Sequence, residues 1–322
     1  MSNKIKDEIN KIEIPKKLNE SSRNGISKAK VEMPKRYKNW SKIVVFAASL
    51  IIGISGYFIY ENMQMDPYVE TFNGNSPMVT SNGGLDIPTL KLPKTTNNTS
   101  MSMIGLIVYN QKIYTQTSTD INDEHAGDLL EGKKIGTTKN NLDEWSKQNE
   151  YSVEFASTIG RADVYTVKGY DKDFRIMSYS EENGEINSEF YESLNGITVY
   201  TGQDILGKLK VSGNIINAQY RSFSDWNNSV DNFLPIQDRD ILSSFAEELN
   251  HTVPYSRESV EKILGDFRND ENYKEMIFHL KDHTKVSLVV IKGGYIRYGF
   301  SDIYFKMDSE IFKEMWEQLN IL

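Results

Sequence analysis

Apolar and polar positions divide the chain into stretches of different rhythm. From Ile43 to Tyr60 the run IVVFAASLIIGISGYFIY holds no charged side chain over 18 positions. At about 1.5 Å per helical residue, such a run crosses the roughly 30 Å hydrocarbon core of a bilayer, so it predicts a membrane-spanning helix. A cleaved signal peptide and a buried core helix are apolar in the same way. Here, however, 42 residues precede the run and no small-x-small cleavage site follows it, which favours an uncleaved anchor. Ahead of it, segment 1–42 is polar. Pro15 suits a first helical turn, and Leu18, Ile26, Ala29 and Met33 recur at near-helical spacing, so two short helices broken before Pro15 are expected. Behind it, residues 61–100 turn to NGNSP, SNGG and KTTNNTS with little periodicity, as in a tether with at most one early strand.

From Met101 the period becomes two. MIGLIVYNQKIYTQT predicts a hairpin turning at Asn110 and Gln111, and ADVYTVKGYDKDFRIMSYS a second pair turning between Gly169 and Asp173, with a further turn at EENGE. ITVYTG, LKVSGNI and AQYRSFS predict more short strands, and NLDEWSKQNE a helix capped by Asn141. Past a boundary at Asn232 to Pro235 the order changes. RDILSSFAEELN and SRESVEKILGDFRND predict helices, the second capped by Ser256. EMIFHLKDHTKVSLVVIKGGYIRYGF predicts a three-strand meander turning at Asp282–His283 and Gly293–Gly294, and DSEIFKEMWEQLN a closing amphipathic helix. Ile277, Leu288, Val290, Ile296, Ile311 and Trp316 are its expected core. The fold class is therefore α+β: one N-terminal transmembrane helix, then an outer part of two small antiparallel-sheet-plus-helix subdomains, 101–233 and 234–322.

Charge sets the orientation. Lys28, Lys30, Lys35, Arg36, Lys38 and Lys42 precede the span, whereas after it the first basic residue is Lys91 and the near flank carries Glu61, Asp66 and Glu70. The Lys and Arg bias places segment 1–42 in the cytoplasm and the rest outside, in a single-pass protein of the cell membrane with the lipid bilayer as its first partner. The net charge of −8 argues against a nucleic-acid partner. With no cysteine, a disulfide framework, thiolate zinc and a cysteine nucleophile are all excluded.

The chemical candidates are weak. His279 and His283 have the i, i+4 spacing of a helical metal pair but sit in strand-like alternation. Asp120 to Glu131 places acids and amides as a calcium loop does, yet has His125 where the sharp turn needs glycine. Gly127 to Lys134 matches a phosphate loop until Lys134, where Ser or Thr is required to hold magnesium. Leu92 to Thr96 falls one residue short of a sortase signal, and no G-x-S-x-G motif occurs. Trp145, Trp226, Tyr170, Tyr179, Tyr191 and Tyr220 are expected as core or half-buried strand residues before glycan-groove residues. No catalytic, cofactor-binding or metal-ligating residue is assigned, and no cofactor is expected.

IEIPKKLNESSRNGISKAKVEM ahead of a single span, followed outside by KKIGTTKNNLDEWSKQNEYSVEFASTIGRADVYTVKGYDKDFRIMSY, resembles single-pass anti-sigma-factor-like membrane proteins of the Bacillus type. The resemblance implies a regulatory protein rather than an enzyme: a cytoplasmic partner, a sigma factor or another regulator, held at 1–42, and an envelope ligand sensed outside. The absent cysteines remove the zinc-binding version of such proteins. Two other readings remain: an anchored envelope binding or structural module that transmits nothing, and an exported wall-acting enzyme using paired carboxylates.

Overall fold

The structure, a computed structural model, describes residues 77–80, 83–90, 104–143, 146–182, 184–299 and 301–320. Segment 1–42, the apolar span 43–60, most of the tether including Leu92 to Thr96, and Trp145 lie outside them. The described residues belong to one compact unit, Met63–Leu322. Among them no helix is long and apolar enough to cross a membrane.

In chain order the strands are β1 (Met78–Val79), β2 (Leu85–Ile87), β3 (Leu106–Tyr109), β4 (Lys112–Gln116), β5 (Thr119–Ile121), β6 (Leu130–Thr137), β7 (Asp163–Val167), β8 (Arg175–Glu182), β9 (Glu185–Glu192), β10 (Ile197–Val199), β11 (Ile215–Ser222), β12 (Leu234–Pro235), β13 (Val253–Ser256), β14 (Tyr273–Leu280), β15 (Thr284–Ile291), β16 (Tyr295–Tyr298) and β17 (Ile303–Lys306). The helices are α1 (Asp123–Ala126, a single turn), α2 (Phe223–Asn227), α3 (Arg239–Glu248), α4 (Arg257–Leu264) and α5 (Ser309–Gln318). These elements make an α+β fold of three antiparallel sheets. One is small, β1-β2-β10; one runs β3-β4-β9-β8-β7-β6; and the largest runs β12-β11-β14-β15-β16-β17-β13, with β5 also paired to β15.

Alternation explains how the large sheet is covered. Met276, Phe278 and Leu280 of β14, Val286, Leu288 and Val290 of β15, Ile296 and Tyr298 of β16, and Ile303 and Phe305 of β17 are all buried and share one face. Leu242, Phe245 and Ala246 of α3, Phe312 and Met315 of α5 and Leu319 just past its end complete that core, and Met177 and Phe190 of the six-stranded sheet join it. The three longest helices, α3, α4 and α5, start where the sequence supplies an acceptor. Asp238 takes the amides of Asp240 and Ile241, Asp308 those of Glu310 and Ile311, and Ser256 that of Ser259 as expected.

The β3–β4 hairpin turns at Asn110 and Gln111, whose φ values of 50° and 62° suit a two-residue hairpin loop. The pairs β7–β8 and β8–β9 and the meander β14–β15–β16 also form where alternation and turn residues place them. Other stretches differ. Residues 141–143 and 146–147 are irregular and Gln148–Ser152 is a 3₁₀ helix, where an α-helix over NLDEWSKQNE was expected. Asn141 accepts from the Ser157 amide at 3.4 Å and caps nothing. LKVSGNI is the end of the 3₁₀ helix Leu206–Leu209, a turn with Lys210 left-handed at φ 59°, and only the first residue of β11. The expected boundary at 232–235 coincides with β12, which pairs with β11. Strands from both sides of it, β5 and β11 with β14 to β17, share the large sheet.

Candidate functional site

Two polar arrangements stand out, and only one is open to a ligand. The closed one is made where β5 and β16 lie end to end along one edge of β15, since Val286 pairs with Thr119 and Leu288 with Tyr298. The two hydroxyls meet at 2.6 Å. Arg175 and Glu192, register partners across β8 and β9, reach them from the six-stranded sheet. Arg175 donates from Nε to Glu192 Oε1 at 2.8 Å and from Nη2 to the same oxygen and, at 3.1 Å, to Thr119 Oγ1. Tyr298 donates to Glu192 Oε2 at 2.7 Å. The guanidinium lies 4.2 Å from the Tyr170 ring centre and 4.9 Å from that of Phe190.

Burial alone would lower the Arg175 pKa, but the Glu192 carboxylate, Tyr298 and Tyr170 together hold it above its ordinary value. Burial pushes the Tyr170 hydroxyl up to about 12. Both charged side chains have 0% exposed surface, so the network ties the two sheets together and meets no solute.

The open arrangement is the other face of the large sheet. Registers align Asn217, His279, Lys285 and Asp120 in one row across β11, β14, β15 and β5. Gln219, Ile277 and Ser287 form the next row, and Arg221, Glu275, Val289 and Arg297 the third. Helices α2 and α4 cover one end, where Phe223, Val260, Phe267, Tyr273, Ile291 and Tyr304 pack together. Elsewhere the face is half-buried or exposed, apart from the buried Glu275. Polar side chains occupy most of its positions, which is the inverse of the helix-covered face.

Burial raises the Asp120 carboxyl, opposed by the Ile121 amide and by Lys285. Asp120 keeps exposed surface as a residue, so water screens part of that penalty. Next to it, burial raises Glu189 of β9, with the charge of Asp120 adding to the effect. Glu189 accepts from Tyr191 at 2.6 Å and from Gln116 at 2.7 Å. Burial raises Glu275 as well, although Arg221 Nε donates to it at 2.5 Å. Burial, then Lys285, lowers His279, whose Nε2 has no partner.

The motif candidates fall apart in space. His279 lies on β14, while His283 sits in the following turn at φ 67° and stacks on His125, ring centres 3.7 Å apart and planes 10° from parallel. Asp120 to Glu131 is spread over β5, α1, the 3₁₀ turn Gly127–Leu129 and the start of β6. Lys134 lies in β6 and pairs with Asp163 at 2.7 Å. Among the described residues no group of three or more His, Asp or Glu side chains is arranged to hold a metal ion. Trp226 packs on Phe223 and Tyr273, Tyr179 sits edge-on to Tyr165, and Tyr191 and Tyr220 are buried. Sequence reading passed over Arg221, Glu275 and Arg297. Their one signal was a charge at the polar phase of strands whose other phase is mostly apolar.

No family model, curated protein or solved structure matches the chain.

The raised carboxyls have a measurable consequence. A group whose folded pKa is raised stabilises the fold fully below its unfolded value and loses that contribution as pH rises through the folded value. Glu189→Gln, which keeps an acceptor for Gln116, should therefore melt above the native chain at pH 7. That lead should close as pH falls towards about 4, the unfolded glutamate range. Thermal melts across this window check it, and a lead independent of pH would show that Glu189 carries no strained charge.

Proposed function

We propose that this chain is a single-pass cell-membrane protein whose extracytoplasmic α+β domain binds an envelope ligand on the open face of its large sheet. Segment 1–42 then holds a cytoplasmic protein partner, a sigma factor or similar regulator. The observation that carries the reading is the uncharged run Ile43–Tyr60 with six basic residues close before it and none after it until Lys91, because Lys and Arg on one flank orient a span. Two further features support it. A folded unit follows the span, and that unit leaves one sheet face polar and half-open to solvent, where a solute can meet its side chains.

A reporter enzyme that works only outside the cell should be active when fused after Leu322 and inactive when fused ahead of Lys35, and the reverse result overturns the orientation. Capture with segment 1–42 separates signalling from anchoring. If no specific protein is recovered, and scrambling the segment at constant charge changes nothing in the cell, the chain is an anchored envelope-binding module instead.

A further inference from the structure

Three segments converge on the turn between β14 and β15. β5 pairs with the start of β15, Ile121 against Thr284 and Asp120 against Lys285. The β7–β8 turn reaches it through Tyr170, whose hydroxyl donates to Asp282 Oδ2 at 2.8 Å, while Asp282 Oδ1 accepts from the Thr284 amide and hydroxyl at 3.1 and 2.7 Å. The third contact is made by α1, whose His125 ring lies flat on the His283 ring, centres 3.7 Å apart and planes 10° from parallel. Solvent reaches both rings. His125 keeps 37% of its side-chain surface, and His283 is an exposed residue.

Of these three contacts, the stack is the one whose side chains ordinarily change charge between about pH 5 and 8. A neutral imidazole stacks well on another, or on a protonated one, because a cation is drawn to a ring face. Two protonated rings at this separation repel, since a like charge close by disfavours the charged form. Asp128 accommodates the first proton: its Oδ2 lies 3.4 Å from His125 Nδ1, although at 74% exposure water screens it. The other neighbouring charges on the α1 side are Glu124 and Asp123, the latter accepting from Ser188 of β9 at 3.1 Å, with Glu185 and Glu189 on the same strand. On the turn side they are Asp282, already held by Tyr170, Lys281, whose Nζ donates to Gly213 O at 2.9 Å, and Lys285, set opposite Asp120. Beyond Tyr170 the β7–β8 turn carries Lys168, Asp171 and Lys172. The lysines on either side of His283 add to the opposition a second proton meets.

We propose that the His125–His283 stack is an acid-sensitive latch, which fastens α1 to the β14–β15 turn near neutral pH and releases it when both rings are protonated. In the folded chain the pair takes one proton readily and resists the second, whereas in the unfolded chain the two histidines lie apart and take both. The unfolded state therefore binds more protons as pH falls through the histidine range, and stability falls with it. Release is local, because Ile121, Ala126 and Leu129 are anchored in the core on either side of His125. It loosens the stretch that follows Asp120, at one edge of the open sheet face. The latch requires neither the ligand-binding nor the membrane reading, and it gives the domain a response to acidity of its own.

Thermal melts of the full-length chain in detergent, from about pH 7.5 to 5.5, test the latch. His125→Phe keeps a stacking ring on α1, and His283→Asn suits the left-handed backbone at φ 67°; each removes the second charge. Across that window the native chain should lose about 3 °C more than either variant, and Asp128→Asn should shift the loss towards neutral pH. His279, lowered by burial, and Asp120 and Glu189, raised by it, are present in every variant, so their share cancels. Amide hydrogen exchange gives the local readout at position 125, whose N–H donates to Asn122 O at 2.8 Å. Corrected for the intrinsic rate, it should exchange about tenfold faster at the acid end in the native chain, and at an unchanged rate in His125→Phe. An acid slope in either variant as steep as the native one, or native exchange at position 125 that ignores pH, overturns the latch and leaves the topology test untouched.

Discussion

Replacing Arg175 by methionine should cost about 3 to 5 kcal/mol of unfolding free energy, the range for breaking a buried ion pair by removing one partner. The reason lies in what remains. Glu192 has 0% exposed side-chain surface, and after the substitution only the Tyr298 hydroxyl would still donate to its carboxylate. The surroundings, Tyr170, Phe174 and Phe190, offer a cation their ring faces but offer an anion nothing. Methionine is long and unbranched enough to fill the stem's space, so packing loss contributes little. Removing both charges with Arg175→Met and Glu192→Leu should restore most of the loss, because a well-packed apolar pair is often as stable as the ion pair it replaces. Urea unfolding of the native chain and the two variants measures this. A single variant within about 1 kcal/mol of the native chain, or a double variant no better than the single, would show that the network does not tie the sheets.

What was legible in the sequence follows from range. The meander β14–β15–β16 could be read because its pairing is local and its turns carry their own chemistry. Gly293 and Gly294 adopt φ values of 91° and 90°, which glycine accepts without strain. The Ser256 cap of α4 was legible for the same reason. The pairing of β5 with β15 and of β13 with β17 joins segments far apart in sequence, and no local pattern encodes it. That is why a boundary near Pro235 looked natural although the large sheet runs across it. β6 was hidden differently, since LEGKKIGT offers two glycines and two lysines and no clean alternation. NLDEWSKQNE has the composition of a helix, yet the amides of Asn140 and Leu142 are bonded to the Ser157 hydroxyl and carbonyl instead. A tertiary contact outweighed a weak local preference. For the site the same division holds. Histidine spacing drew attention to His283, whose ring partner, His125, comes from a distant segment.

Truncating Phe278 to alanine should also cost about 3 to 5 kcal/mol, towards the upper part of that range, because the site cannot collapse. Phe278 has 0% exposure on the helix-covered face of β14 and stacks on Phe245 of α3, ring centres 6.4 Å apart and planes 14° from parallel. Its register partners are Ala218 on β11 and Val286 on β15. The first is too short to move into the void, and the second is β-branched and held in one rotamer by its strand. Phe245 would lose its stacking partner with nothing to replace it, so the cavity persists and both its walls forfeit contacts. Phe278→Leu, which keeps most of the volume, should cost about 1 kcal/mol, whereas Ile263→Ala on α4, at 69% exposure, should stay within about 0.5 kcal/mol of the native chain. Chemical unfolding of the three variants gives the comparison. If the alanine variant loses less than about 1.5 kcal/mol, the helices α3 and α5 do not close over this face as tightly as the packing of Phe245 on Phe278 requires.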